Sequence, residues 1–331
     1  MMDLAFGRLT QLAFGYWNAQ PLYVLAEFRV FDALAGGPRP GDELAAELGA
    51  DPRALEGLLN AGVALGLLRK TDDAYANSEQ AKRFLTTASP ESLIHWVRVM
   101  GRWTEPWARL GDAIRTGKPV ESQALRLGED PAYVEDFILG MHEYARRTSA
   151  DLARAIDLSG GARLIDVGGG AGTYAIALAQ ANPALRVTLL DLEPVLPFAR
   201  RIIAEHGLDG RIDVGPVDYQ RDGFGSGADA ILFSNVLHQE SPEVCRSMLK
   251  RGIAALVPGG RVLVHGHFLD ENKTGPLFST LHNLSAYALW DGGRSYSVGD
   301  MTQLMHEAGL RNVAPVALAA GATSVLAGTR P

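Results

Sequence analysis

The stretch "RLIDVGGGAGTYAIALAQ", residues 163–180, sets four glycines within five positions between two apolar segments. Leu164 to Val167 is a short apolar run broken by one aspartate, Asp166, and Tyr174 to Ala179 is apolar and rich in helix formers. The pattern predicts a strand, a tight glycine turn and a helix. Glycine permits positive φ and lets a ligand approach bare backbone, and the first turn of a helix offers unpaired N–H groups. A ligand site is expected at this turn, and the rest of the chain must say which ligand.

Working outward, residues 160–331 alternate apolar, β-rich pieces with helical ones. The former are "RVTLLDL", "IDV", "ADAILFSN", "RVLVHGHF" and "ATSVLAGT"; the latter include "VLPFARRIIAEHG" and "PEVCRSMLKRGIAAL". That alternation predicts an open, mostly parallel α/β sheet with helices on both faces. Ligands in such sheets lie at the carboxyl ends of the strands. Asp166 ends the first strand and Asp191 the second; Asp218 and Tyr219 follow the third, and "SNVLHQE", with Ser234 and His238, closes the fourth. Three carboxylates and a histidine are therefore expected along one edge.

Residues 1–158 read as a separate, nearly all-helical domain, with a catalytic domain over 159–331. "LTQLAFGYWNAQPLYVLAEFRVFDAL" has more apolar residues than one stripe requires, which predicts burial on both faces and a homodimer through this domain. Residues 39–85 follow as helix, turn, helix and short hairpin, the pattern of a winged helix. The second helix, Asp51 to about Gly66, carries Arg53 against Asp51 and Glu56, with no basic stripe, so nucleic acid is not an expected partner. The chain has 331 residues, 47% hydrophobic and 21% charged, with net charge −7 from 31 basic and 38 acidic side chains. That balance does not suggest nucleic acid or an anionic membrane as partner. One cysteine, Cys245, excludes an internal disulfide framework and fits the cytoplasm. No signal peptide and no transmembrane run is expected from the sequence.

The turn contains G-x-G-x-x-A (Gly170, Gly172, Ala175) with an acid about 20 residues on, as a dinucleotide fingerprint wants. Asp166, two residues before the first glycine, would repel a pyrophosphate. It suits a ligand with a positive amino group and no phosphate, and S-adenosylmethionine is one. Asp166 and the turn would then meet the amino-acid part, Asp191 the ribose hydroxyls and Asp218 the adenine amino group.

The ordered motifs "DVGGGAG", "LLDLEP", "VDY", "SNVLHQESPE", "VPGGRVLVHGHFLDENKTGP" and "WDGGRSYS" resemble those of small-molecule O-methyltransferases, the plant caffeate type and the bacterial enzymes of phenazine, polyketide and pigment pathways. The resemblance covers nearly the whole chain, because that family carries a winged-helix dimerisation domain ahead of a Rossmann-like methyltransferase sheet. It implies methyl transfer from S-adenosylmethionine, leaving S-adenosylhomocysteine, to a hydroxyl of a small aromatic acceptor. It implies that Asp191 holds the ribose and that Asp218 with Tyr219 flanks the adenine. Gly168, Gly170, Leu192 and Ser234, the last where plant members have lysine, complete the expected cofactor set.

His238 matches the family's general base. A phenol has a pKa of about 10, and a neighbouring imidazole can take its proton as the oxygen attacks. The rate is then expected to rise with pH through the histidine range. Plant members place acids near this base; here those places hold Gly266 and Ser295. His282, Asn283, Trp290 and Met141 are the substrate-pocket candidates. His265 and His267, either side of Gly266 on a strand, are expected to share a face and to be structural. No metal is expected. Two alternatives remain open. One is carbon methylation of a 2-oxo acid or pigment carbon, with or without a metal held by His238, Glu240 and His282 as a two-histidine, one-carboxylate site, as in some relatives that act on 2-oxo acids. The other is a non-catalytic scaffold or regulator.

Overall fold

The computed structural model describes residues 4–120, 130–160, 162–318 and 323–331. The chain divides into two compact units, Met1–Thr104 and Glu105–Pro331. The sequence placed this boundary at 158/159. Residues 105–158 belong instead to the second unit, because the long helix among them packs on the helix that follows the glycine turn.

In the first unit, helices α1 (Leu4–Ala13), α2 (Gly15–Glu27) and α3 (Val30–Ala33) precede a short strand β1 (Arg39–Pro40). Then come α4 (Gly41–Leu48), α5 (Pro52–Ala64), β2 (Leu68–Thr71), β3 (Ala74–Asn77), α6 (Glu79–Phe84) and α7 (Ile94–Arg102). The expected winged helix is α4, α5 and the β2–β3 hairpin, with β1 added to make a sheet of order β1-β3-β2. Asp51 starts α5 by accepting the N–H of Ala54 at 2.8 Å, which satisfies one of the helix's orphan donors. Leu25, Phe31, Leu44, Leu59, Tyr75 and Ile94 form the core. The apolar excess of the first 34 residues divides in two. Leu25 to Leu34 supplies the core, while Phe6, Leu9, Leu12, Phe14, Tyr16 and Trp17 stay 47–71% exposed in the single chain.

The second unit opens with α8 (Thr104–Ala108, starting one residue before it), α9 (Leu110–Thr116) and α10 (Pro131–Ala155). Its sheet strands are β4 (Arg163–Val167), β5 (Arg186–Asp191), β6 (Ile212–Pro216), β7 (Ala228–Ser234), β8 (Leu256–Gly266), β9 (Arg311–Val316) and β10 (Ser324–Thr329). Between them lie α11 (Thr173–Ala181), α12 (Leu196–Glu205), α13 (Pro242–Ala255), α14 (Leu277–Leu289) and α15 (Val298–Ala308). The order is β6-β5-β4-β7-β8-β10-β9, parallel from β6 to β8 and antiparallel at β10 and β9. Strand β9 was not expected. It lies at the edge, carries Pro315 and is mostly exposed, so it lacks a buried strand's apolar run. The other strands alternate as a two-faced sheet requires. Leu164 and Leu232 face one core with Leu178 and Ile203, while Ile165 and Phe233 face another with Met248 and Leu304.

Strand order reverses between β4 and β7, which opens a crevice at their carboxyl ends. The glycine turn fills its near side. Gly168 has φ +68°, and a Cβ there would stand 2.5 Å from Val236 Cγ2 on the far side. A Cβ on Gly169 would meet Leu189 Cγ at 2.7 Å, whereas one on Gly170, at φ +56°, would meet nothing within 4 Å. The first two glycines are there for packing; the third leaves open space beside the turn. Gly168→Ala is expected to cost about 1–3 kcal/mol from overpacking besides backbone strain, and Gly170→Ala the strain alone. Urea unfolding midpoints of the two variants check this ordering.

Candidate active site

Asp166, at the end of β4, is 1% exposed, and neither carboxylate oxygen has a hydrogen-bond partner. Asn235 Oδ1, at φ +54° just beyond β7, is likewise buried and unpartnered. Buried carboxylates are paired in native proteins, so an unpaired one beside an open glycine position fits a cationic ligand. Asp191 ends β5. Its Oδ2 accepts the N–H of Gly170 and its Oδ1 that of Leu192, both at 2.7 Å. One lone pair on each oxygen is thus spent on shaping the turn, and the second remains for a diol. Asp218, half-buried, accepts the N–H of Gln220 at 3.0 Å and gives its own N–H to Asp222. The Tyr219 carbonyl accepts from Arg251, and its hydroxyl reaches Gln239 Oε1 at 3.5 Å.

Across the crevice, His238 lies on the short turn Leu237–Gln239 after β7. Its ring centroid is 4.6 Å from that of His282 and 5.3 Å from that of Trp290, at 78° to each. His267 lies 5.5 Å from His282, and Phe278 stacks 6.1 Å from it at 19°. Three imidazoles and two larger rings thus gather in one recess. Burial, then the neighbouring His282 and His267, hold His238 well below the ordinary imidazole range. Burial, then His267, brings His282 down to about 4. His238 is therefore neutral at neutral pH, able to accept a proton or to donate its one N–H.

The O-methyltransferase domain profile matches residues 107–311, and the O-methyltransferase dimerisation domain profile residues 10–87. The chain belongs to the O-methyltransferase family. It is 36% identical to a 3-hydroxy-5-methyl-1-naphthoate 3-O-methyltransferase of Streptomyces sahachiroi, over 97% of this chain and 94% of that one. It is 31% identical to the tetracenomycin polyketide synthesis 8-O-methyl transferase of Streptomyces glaucescens, over 98% and 97%. The human N-acetylserotonin methyltransferase, solved with S-adenosylmethionine, superposes with TM-score 0.87 at 28% identity, covering 99% of this chain and 98% of that one. No helix among the described residues of this O-methyltransferase is long and apolar enough to cross a membrane.

Several expected residues take other places. Ser234 Oγ lies 2.8 Å from His265 Nδ1, so its hydroxyl is engaged inside the fold. His265 and His267 part company. His265 is buried edge-to-face with Tyr174 at 5.0 Å, whereas β8 ends at Gly266 and His267 turns into the recess. Asn283 spends its amide on the Ser295 N–H at 2.8 Å and on the Tyr287 hydroxyl at 3.2 Å. Met141 is half-buried on α10 beside His142, whose Nδ1 meets Thr173 Oγ1 at 2.8 Å at the start of α11. Glu240 is 4% exposed and takes both its bonds from the Gln220 amide, at 2.9 and 3.0 Å. Among the described residues no group of histidine, cysteine and carboxylate side chains comes together to hold a metal, including His238, Glu240 and His282. His142 and Phe278 escaped the sequence reading, and His267 was read there as structural. A lone histidine or phenylalanine at helical or strand spacing gives no signal until the fold aims it.

Burial, then the charge of Asp191, raises Asp166 to about 7; burial also lifts Asp191 to about 6, against the N–H bonds from Gly170 and Leu192. A raised carboxyl pKa means that the cofactor-free fold is favoured below about 4 and loses that contribution as pH rises toward 7. A cation beside Asp166 reverses this. Cofactor affinity is therefore expected to rise with pH up to about 7. It levels off before the cofactor's own amino group deprotonates near about 8. Near pH 6 a proton is released on binding, so the calorimetric enthalpy varies with the ionisation enthalpy of the buffer. Asp166→Asn should remove both effects.

Proposed function

We propose that this O-methyltransferase moves a methyl group from S-adenosylmethionine to a hydroxyl of a small aromatic acceptor, with His238 against the acceptor's oxygen. The observation that carries this is the placement, at the carboxyl ends of the neighbouring parallel strands β4 and β7, of an unpaired buried Asp166 and a recess of rings around a neutral His238. The cofactor supplies a methyl already activated on a sulfonium. Asp166 would hold its ammonium, Asp191 and Leu192 its ribose, and Asp218 with Tyr219 its adenine, while Gly168 and Gly170 keep the backbone close. His238 would receive the hydroxyl's proton as the oxygen attacks, and the recess would align that oxygen with the methyl carbon. Trp290 and Phe278 offer flat, largely apolar faces, which suit an aromatic ring. The two Streptomyces relatives are named for a hydroxynaphthoate and for a polyketide, which supports the same class. Methyl transfer to a panel of phenols, naphthols and 2-oxo acids tests the reading. Product methylated on carbon, or no product with any hydroxyl, defeats it.

The enzyme on this reading is a cytoplasmic homodimer. The exposed Phe6, Leu9, Leu12, Tyr16 and Trp17 form an apolar face that one copy leaves to solvent, on a segment within or beside the dimerisation domain. Light scattering of the intact chain should give twice the monomer mass. Leu9→Glu with Leu12→Glu should give monomer or aggregate.

A further inference from the structure

We propose that His282, held by Ser295, positions the imidazole of His238 for the acceptor; this rests on His238 acting at the acceptor's oxygen. A base contributes only if its ring is kept in one orientation, usually by a third group bonded to it. Among the described residues no carboxylate performs that task for His238. Glu240, two residues on, is turned to Gln220, and a Cβ on Gly266 would find only Asn235 Oδ1, at 3.8 Å. Rings confine His238 instead. His282 and Trp290 both stand at 78° to it, at 4.6 and 5.3 Å, and lie only 36° from each other. Rotation of the His238 ring about its Cβ–Cγ bond would drive its edge into one of these faces.

The clamp is itself tied down. Ser295 Oγ lies 3.4 Å from His282 Nδ1. The Ser295 N–H donates to Asn283 Oδ1 at 2.8 Å, one residue along α14 from His282. Next to Ser295, the Arg294 N–H donates to the carbonyl of His238 at 2.9 Å. Side chain and main chain of His238 are thus both held by the segment from Trp290 to Ser295. Ser295 is 6% exposed, so its hydroxyl belongs to this network and not to solvent. Phe278, stacked 6.1 Å from His282 at 19°, limits that ring in turn.

The test is a set of variants read by kcat and acceptor KM separately, with S-adenosylhomocysteine calorimetry as the check on folding. Ser295→Ala and His282→Phe should each lower kcat, the second by up to about a hundredfold, the size of effect a small misplacement of a reacting group has. Acceptor KM and cofactor affinity should stay within about threefold. The double variant should be no slower than His282→Phe, because the two residues act as one unit. Ser295→Thr, which keeps the hydroxyl, should retain most of the rate. A raised KM with unchanged kcat would make His282 an acceptor contact and overturn the proposal, as would additive losses in the double variant. In a His238→Ala background, Ser295→Ala should do nothing more. If His238→Ala is fully active, the base reading fails on its own; if Ser295→Ala still slows that variant, the positioning role fails separately.

Discussion

His238→Ala is expected to lower the rate of methyl transfer about a hundredfold to ten-thousandfold, the usual contribution of a positioned proton acceptor, and to leave S-adenosylhomocysteine affinity unchanged. Its ring sits beside His282 and Trp290, and His267 lies against His282. The pH profile sharpens this test. The sequence alone led us to expect a rate that rises through the ordinary histidine range. Burial and two neighbouring imidazoles hold His238 well below 6.5. Only the neutral ring accepts a proton, so the acidic limb should lie well below pH 6.5, and the rate should be flat through neutrality. A rise above pH 7 then reports ionisation of the acceptor itself. Full activity of His238→Ala at pH 7, with no added imidazole, would show that alignment alone carries the reaction.

Asp191→Ala is expected to weaken S-adenosylhomocysteine binding about tenfold to a hundredfold, because hydrogen bonds to a charged carboxylate contribute about 1.5–3 kcal/mol. The loss has two sources. The diol loses its acceptor, and the N–H groups of Gly170 and Leu192 lose theirs, so the turn that presents the amino-acid end loosens as well. An analogue lacking both ribose hydroxyls separates them. It should bind the unaltered enzyme more weakly than the parent compound, and the Asp191→Ala variant should no longer tell the two apart. A variant that still discriminates by its original factor moves the ribose elsewhere.

The arrangement proposed for the donor was legible in the sequence because its signals are local. Four glycines in five positions have few uses other than a turn at which backbone meets ligand or packed side chain, and acids at successive strand ends fall on one edge by the topology of a parallel sheet. The double duty of Asp191 was not legible, since nothing in "LLDLEP" reveals which oxygens the preceding turn has claimed. The acceptor half was legible only in part. His238 follows directly from a strand end, but His267, Phe278 and Ser295 meet it through the packing of α14, and no spacing encodes that. Strand β9 and the first-unit boundary were missed for a related reason. An exposed edge strand with a proline lacks alternation, and a helix does not declare in its own sequence which neighbour it will pack against.

The two ligands are read by different lengths of chain. The groups assigned to the donor run from Asp166 to Tyr219, whereas the rings of the recess come from His267 to Trp290 and meet His238 from outside the parallel core. A cassette running from the end of β8 to the start of α15 could therefore be exchanged between descendants of this gene and alter what is methylated, while the donor half is inherited intact. Selection for a new acceptor need not disturb the glycine turn, which is packed against Val236 and Leu189 at its first two glycines. In such a molecule the conservative and the inventive parts are segregated in the genome before they are joined in space.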